Sequence, residues 1–125
     1  MIYGVGVDCV QVARIAKSME KPRFAERVFS EAERALFEQI GAEAKRDETA
    51  AANFAAKEAF LKACGVGLGG FALSEIAALR RESGAPYYQL SGAALAFCEE
   101  NGLAAHLSLT HEGGMAVAFA VLEKG

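Results

Sequence analysis

Apolar residues follow two rhythms along this chain, and each change of rhythm marks an element. Ile2–Val7 (IYGVGV) is a β-branched and glycine run that predicts a first strand, closed by Asp8. From Cys9 to Lys21 the spacing turns helical, with Val12, Ile15 and Met19 on one side, until Pro22 interrupts it. Ser30-Glu31-Ala32-Glu33 matches a capping box and opens a helix to about Ile40, with Gly41 past its end. Ala42–Thr49 is charged and reads as a loop or an extra turn. A long alanine-rich helix follows from about Ala50 to Cys64 and stops at Gly65. Ile76–Arg81 and Tyr87–Leu90 read as strands around the turn signal Ser83-Gly84-Ala85-Pro86. Ser91 stands as N-cap of a helix to about Glu100, closed by Asn101-Gly102. Ala105–Thr110 and Met115–Leu122 are strand-like runs joined by His111-Glu112-Gly113-Gly114, which predicts a hairpin. The sum is an α+β fold, an antiparallel sheet with a long central helix, as one domain over residues 1–125.

Composition narrows the classes. Apolar residues make up 53% and charged residues 23%, a globular balance and not a disordered one. The longest apolar run, Met115–Leu122, is far too short for a membrane span. No basic stretch precedes an apolar one at the start, so neither a signal nor a transit peptide is expected. Cys9, Cys64 and Cys98 are odd in number and form no CxxC pair, which suits reduced thiols in a cytoplasmic protein. The net charge of −3 is unevenly spread. Arg14, Lys17, Lys21, Arg23 and Arg27 face only Glu20 and Glu26, so this segment carries +3 and the remainder −6. Such a segment is either a solvated helix face or a dock for an acidic partner. Nucleic acid is not expected as that partner, since the pI is about 5.4 and no aromatic–basic interleaving occurs.

The chemistry concentrates in Asn53–Gly67 (NFAAKEAFLKACGVG). Glu58 and Lys62 sit one helical turn apart, ahead of Gly65, Gly67 and Gly69-Gly70. A carboxylate, an ammonium and a glycine turn suit a phosphate and its metal ion, while a surface ion pair with a glycine stop fits the same residues. The glycines follow a helix and do not open one, so a dinucleotide fingerprint fails on context. Asp8 ends a glycine-flanked strand, either as a ligand group or as a cap on the next helix. His111 lies at the tip of the last hairpin, with His106 on the opposite face of the strand behind it. No G-x-S-x-G elbow supports a Ser–His hydrolase.

Taken in order, G-V-G-V-D at Gly4–Asp8, Arg14, R-F-A-E-R at Arg23–Arg27, F-A-A-K-E-A-F-L-K-A-C-G-V-G at Phe54–Gly67 and S-L-T-H at Ser108–His111 resemble a known family. It is the holo-[acyl-carrier-protein] synthase family, the small bacterial-type 4′-phosphopantetheinyl transferases. The resemblance runs from Met1 to about Val121, and the chain length matches the single-domain trimeric branch. Cys9, Thr110 and Asn53 depart from the usual isoleucine, serine and arginine.

The resemblance implies transfer of 4′-phosphopantetheine from coenzyme A to a serine of apo acyl carrier protein, in fatty acid biosynthesis. It implies that Asp8 and Glu58 hold Mg²⁺ on the coenzyme A diphosphate and that Lys62 contacts the phosphates. Gly65 and Gly67 would let the backbone close over the coenzyme, and Ser83, Gly84 and Pro86 would face its adenine nucleotide. His111 would lie near the phosphates, and the arginine missing at Asn53 is expected near the phosphate end of coenzyme A. Arg14, Arg23 and Arg27 would meet the acidic helix of the carrier protein. Glu58 is the first choice for the base that takes the serine proton, and His111 the second. A homotrimer with active sites at subunit interfaces is expected as well. A non-catalytic binding module would have lost Asp8, Glu58 or Lys62, and all three are present. An unrelated two-metal phosphoesterase would need more carboxylate or histidine ligands than this chain groups together.

Overall fold

Among the described residues, two antiparallel sheets and four shorter helices pack around one long helix. The structure, a computed structural model, describes residues 1–67 and 70–125. In chain order the elements are β1 (Ile2–Gln11), α1 (Val12–Ser18), α2 (Pro22–Val28), α3 (Glu31–Glu38) and α4 (Glu43–Cys64). A 3-10 turn (Leu73–Glu75), β2 (Ile76–Arg80), β3 (Pro86–Leu90), α5 (Gly92–Asn101), β4 (Leu103–Glu112) and β5 (Met115–Lys124) follow. The larger sheet has the order β1-β5-β4, and β2 pairs with β3 in the smaller one.

The inner face of the larger sheet is built for close approach. On β1 it presents Gly4, Gly6, Asp8 and Val10, and on β5 Ala116, Ala118, Ala120 and Leu122. A Cβ on Gly4 or Gly6 would lie 2.0 Å from the Ala63 or Ala59 carbonyl oxygen of α4. These glycines therefore bring β1 against the helix backbone. They do not open the strand to a ligand, as the sequence alone suggested. The alanines of α4 serve the same contact, and Ala55, Ala56 and Ala59 are fully buried.

Several boundaries move. Asp8 does not close β1, because the strand continues in register with β5 to the pair Gln11–Met115. Asp8 pairs with Ala118 mid-strand, so it cannot cap α1, whose N-cap is Gln11. Pro22 ends no helix. It opens α2 from the first turn, where its missing N–H costs no hydrogen bond. The expected loop at Ala42–Thr49 is instead almost wholly the start of α4, with Arg46 donating to the Ile40 carbonyl. The capping box stands: Ser30 Oγ accepts from Glu33 N, and Glu33 Oε1 from Ser30 N. Ser91 is an N-cap by position only. Glu75 Oε2 accepts from Ala93 N in its place, and Gly92 leaves the room, since a Cβ there would meet that oxygen at 2.0 Å. The last hairpin turns on Gly113-Gly114, both at positive φ (58° and 79°), so His111 lies within β4 and not at the tip.

Candidate active site

From residue 50 to 64, α4 is buried on every side but one. The line left open is Phe54, Glu58 and Lys62, spaced i, i+4, i+8 on one face. Asp8 meets that line from the inner face of β1. Lys62 Nζ donates to the Val7 carbonyl at 2.9 Å and to Asp8 Oδ1 at 3.3 Å. Lys62 therefore pairs with Asp8 and not with Glu58, which removes the plain i,i+4 ion pair. Asp8 Oδ2 is buried and has no hydrogen-bond partner. Burial first, and the Asp8 carboxylate second, push the Glu58 carboxyl above its ordinary pKa; Lys62 and Arg14 oppose the shift. Arg14 of α1 lies 5.9 Å above the Phe54 ring and closes the far side. Asp8, Cys9, Val10, Arg14, Phe54 and Glu58 line a shallow cavity of about 270 Å³.

Two carboxylates of this kind fit a hard divalent cation. One holds an orphaned oxygen in a buried position, and the other is an anion that burial and its carboxylate neighbour disfavour more than Lys62 and Arg14 favour it. Magnesium takes one or two protein carboxylates and completes its shell with water and phosphate oxygens. No cluster of three or more metal-ligating side chains occurs among the described residues, so a two-carboxylate site is what this chain offers.

The other sequence-predicted residues fall into separate groups. Gly65 and Gly67 follow α4 at positive φ (77° and 66°), with Gly65 as its left-handed end. Gly69 lies outside the described residues. Gly84 and Pro86 line a second cavity of about 370 Å³ with Lys45, Glu48, Arg80 and His111. Ser83 belongs to the same turn, its Oγ accepting from Ala85 N at 3.4 Å. His111 Nδ1 lies 3.4 Å from Glu48 Oε2. Ten residues of helix separate Glu48 from Glu58, about 15 Å along the axis. Within one chain His111 and Glu58 thus belong to different cavities. Arg23 and Arg27 are exposed one turn apart on α2.

Sequence reasoning missed a buried polar ladder behind α4. Lys57, fully buried, donates to Glu33 Oε1 (2.6 Å), the Leu73 carbonyl (3.0 Å) and the Ile76 carbonyl (2.8 Å). Burial pulls its ammonium below the ordinary pKa, and Glu33 opposes that pull. Glu33 Oε2 accepts from Asn53 Nδ2 and Ala78 N. Asn53 Oδ1 then accepts from Arg80 Nη2 at 2.8 Å. The position where the resemblance expects an arginine is thus a buried asparagine that grips one. Only the capping box marked Glu33 in the sequence; nothing local marks Arg80.

The sequence profile of the 4′-phosphopantetheinyl transferase superfamily matches residues 4–120. A holo-[acyl-carrier-protein] synthase of Treponema denticola is 42% identical over 127 residues, covering 98% of this chain and 99% of that protein. The crystal structure of a Neisseria meningitidis holo-[acyl-carrier-protein] synthase superposes with a TM-score of 0.88 at 34% identity, over 99% of this chain and 100% of the other. A holo-(acyl-carrier-protein) synthase from Bacillus anthracis, solved in complex with CoA (3′,5′-ADP), gives 0.84 at 32% identity, over 100% and 99%.

Proposed function

This chain belongs to the 4′-phosphopantetheinyl transferase superfamily, and on that premise we propose how its residues carry out the transfer. The reaction is that of a holo-[acyl-carrier-protein] synthase: 4′-phosphopantetheine passes from coenzyme A to a serine of apo acyl carrier protein. The serine hydroxyl attacks the β-phosphate, a phosphodiester forms, and 3′,5′-ADP leaves. Such a transfer asks the protein for positioning and charge neutralisation.

Asp8 and Glu58 are the residues that would hold Mg²⁺. The observation that carries this is the buried Asp8 Oδ2 without a partner, beside a Glu58 carboxyl that burial and Asp8 both push up. Mg²⁺ bound there would neutralise the coenzyme A diphosphate. Lys62, held by Asp8 and half exposed, offers its remaining donor to a phosphate oxygen. Glu58 is the first choice for the group that accepts the serine proton, and His111 the second. His111, in the other cavity, contacts the coenzyme near its phosphates, with Ser83, Gly84 and Pro86 around the adenine nucleotide. Gly65 and Gly67 form the turn over the coenzyme. Arg14, Arg23 and Arg27 receive the acidic carrier helix, and Arg14 links that surface to the metal site.

A homotrimer with active sites at its interfaces is the assembly we propose. The outer face of the larger sheet supports it, because Val5, Val7 and Phe119 are 45–54% exposed there. Two cavities in one chain also suit a site completed by a neighbouring copy. The whole chain would act as one domain, in fatty acid biosynthesis in the cytoplasm. Three free thiols support that compartment, and no helix among the described residues is long and apolar enough to cross a membrane.

The test is transfer itself. Purified protein, apo carrier protein, coenzyme A and Mg²⁺ are mixed, and the carrier is weighed by mass spectrometry. A phosphopantetheine increment is expected, and Glu58→Gln should abolish it with the fold intact. No increment across several carriers and divalent ions would sink the transferase reading.

A further inference from the structure

Asn53 has no choice of orientation. Its Nδ2 must face Glu33 Oε2 (3.0 Å) and the Ala78 carbonyl (2.9 Å), both acceptors, so its Oδ1 is presented to Arg80. Glu33 is fixed in turn by Lys57, Ser30 N and Ala78 N. Glu33, Lys57 and Asn53 are all fully buried. This network has one end that reaches open space, and Arg80 stands there. Arg80 Nη2 donates to Asn53 and Nη1 to the Leu79 carbonyl at 3.3 Å. A guanidinium has five N–H donors, so several remain for a ligand. Among the described residues no carboxylate lies within 4.0 Å of Arg80. Lys45 lines the same cavity, and its one lining carboxylate, Glu48, faces His111.

A fixed, half-buried cation with spare donors, whose neighbouring carboxylate Glu33 is already paired to Lys57, is an anion site whose geometry is set before the ligand arrives. The forked planar donor set favours a phosphate dianion over a single point charge. We propose that Arg80, clasped by Asn53, binds the phosphate monoester of coenzyme A and makes the enzyme discriminate against the coenzyme lacking it. Asn53 is a positioning residue and touches no ligand. The inference rests on the coenzyme A reading of the site and adds which residue of this chain sets the specificity.

The experiment compares kcat/KM for coenzyme A and for 3′-dephospho-coenzyme A. It is paired with calorimetric binding of 3′,5′-ADP and of 5′-AMP. A charge-assisted hydrogen bond contributes about 1.5–3 kcal/mol, so Arg80→Gln should reduce the preference for coenzyme A roughly 10- to 100-fold. Turnover of the dephospho form should stay within about twofold, and Arg80→Lys should recover part of the preference, as a point charge does. Asn53→Ala should lower the preference in the same direction while Arg80 is retained. A merely structural role would lower both substrates together and leave the ratio unchanged, and that result overturns the proposal. If no coenzyme is turned over, the transferase reading has failed separately. The 3′,5′-ADP to 5′-AMP binding ratio then still decides the role of Arg80: loss of the ratio in Arg80→Gln supports it and an unchanged ratio refutes it.

Discussion

At the scale of single residues, the site is a place where Glu58 is kept closer to the protein interior and to the Asp8 carboxylate than a carboxylate in water would be. The Glu58 pKa is raised from the ordinary 4.5, so the folded protein holds a proton that the unfolded chain has already released. Stability therefore falls as pH rises through the interval between 4.5 and the raised value, and the full cost persists above it. Glu58→Gln removes the charge. In metal-free buffer it should unfold at a higher temperature than the parent near neutral pH, and the gain should vanish below pH 4.5. Differential scanning calorimetry across pH reads this directly. A divalent cation acts on the same residues. Mg²⁺ added with 3′,5′-ADP should raise the parent's melting temperature, and Asp8→Asn should lose most of that rise. Asp8, Glu58 and Lys62 were legible as candidates from residue type and spacing. That Lys62 would choose Asp8 over Glu58 was not, because 54 residues of sequence separate the two.

At the scale of elements, α4 does two jobs on opposite sides. One side gives up Phe54, Glu58 and Lys62 to the site, and the other buries Asn53 and Lys57 in a ladder to α3 and β2. Lys57→Met should leave the buried Glu33 carboxylate without its cation. Breaking a buried pair in this way costs about 3–5 kcal/mol, which urea unfolding would register. The contact between β1 and α4 is equally constrained. A Cβ on Gly6 would stand 2.0 Å from the Ala59 carbonyl oxygen and 2.8 Å from Ala63 N, both backbone atoms that cannot rotate away. Gly6→Ala should cost about 1–3 kcal/mol and shift Asp8 relative to Glu58. Transfer activity should then drop more than thermal stability alone explains. The elements themselves were largely visible in the sequence. The ends that moved did so for different reasons: β1 runs past Asp8 because β5 pairs with it, a tertiary cause, while Pro22 opens α2 from its first turn and Arg46 clasps the Ile40 carbonyl six residues back, both local.

At the scale of the whole molecule, the larger sheet has one face on α4 and one face open. The open face carries Val5, Val7, Phe119 and a His106–Glu123 contact at 3.0 Å. Phe119→Glu places a carboxylate amid that apolar surface. On the proposed trimer, it should shift the sedimenting species to monomer and lower transfer activity with it, and an unchanged mass would refute this face as the interface. The proposed carrier-docking surface makes a separate prediction. Arg23→Glu, on the exposed face of α2 and outside the cavity of Asp8 and Glu58, should raise KM for the carrier protein several-fold while leaving coenzyme A binding near its parent value, because charge at the rim governs encounter with an acidic partner.

The chain's own pattern determined most of the element types (α2 and the start of α4 excepted), the α+β class, the gathering of Glu58, Lys62 and glycine at the end of one helix, and the basic segment. These follow from spacing and side-chain chemistry, which are local. Tertiary structure alone decided which line of α4 stays open, which oxygen of Asp8 lacks a partner, that His111 stands beside Glu48, and that Asn53 grips Arg80. Each of those is a contact between residues distant in sequence. Burial and hydrogen-bond competition select such contacts only once sheet and helix have met.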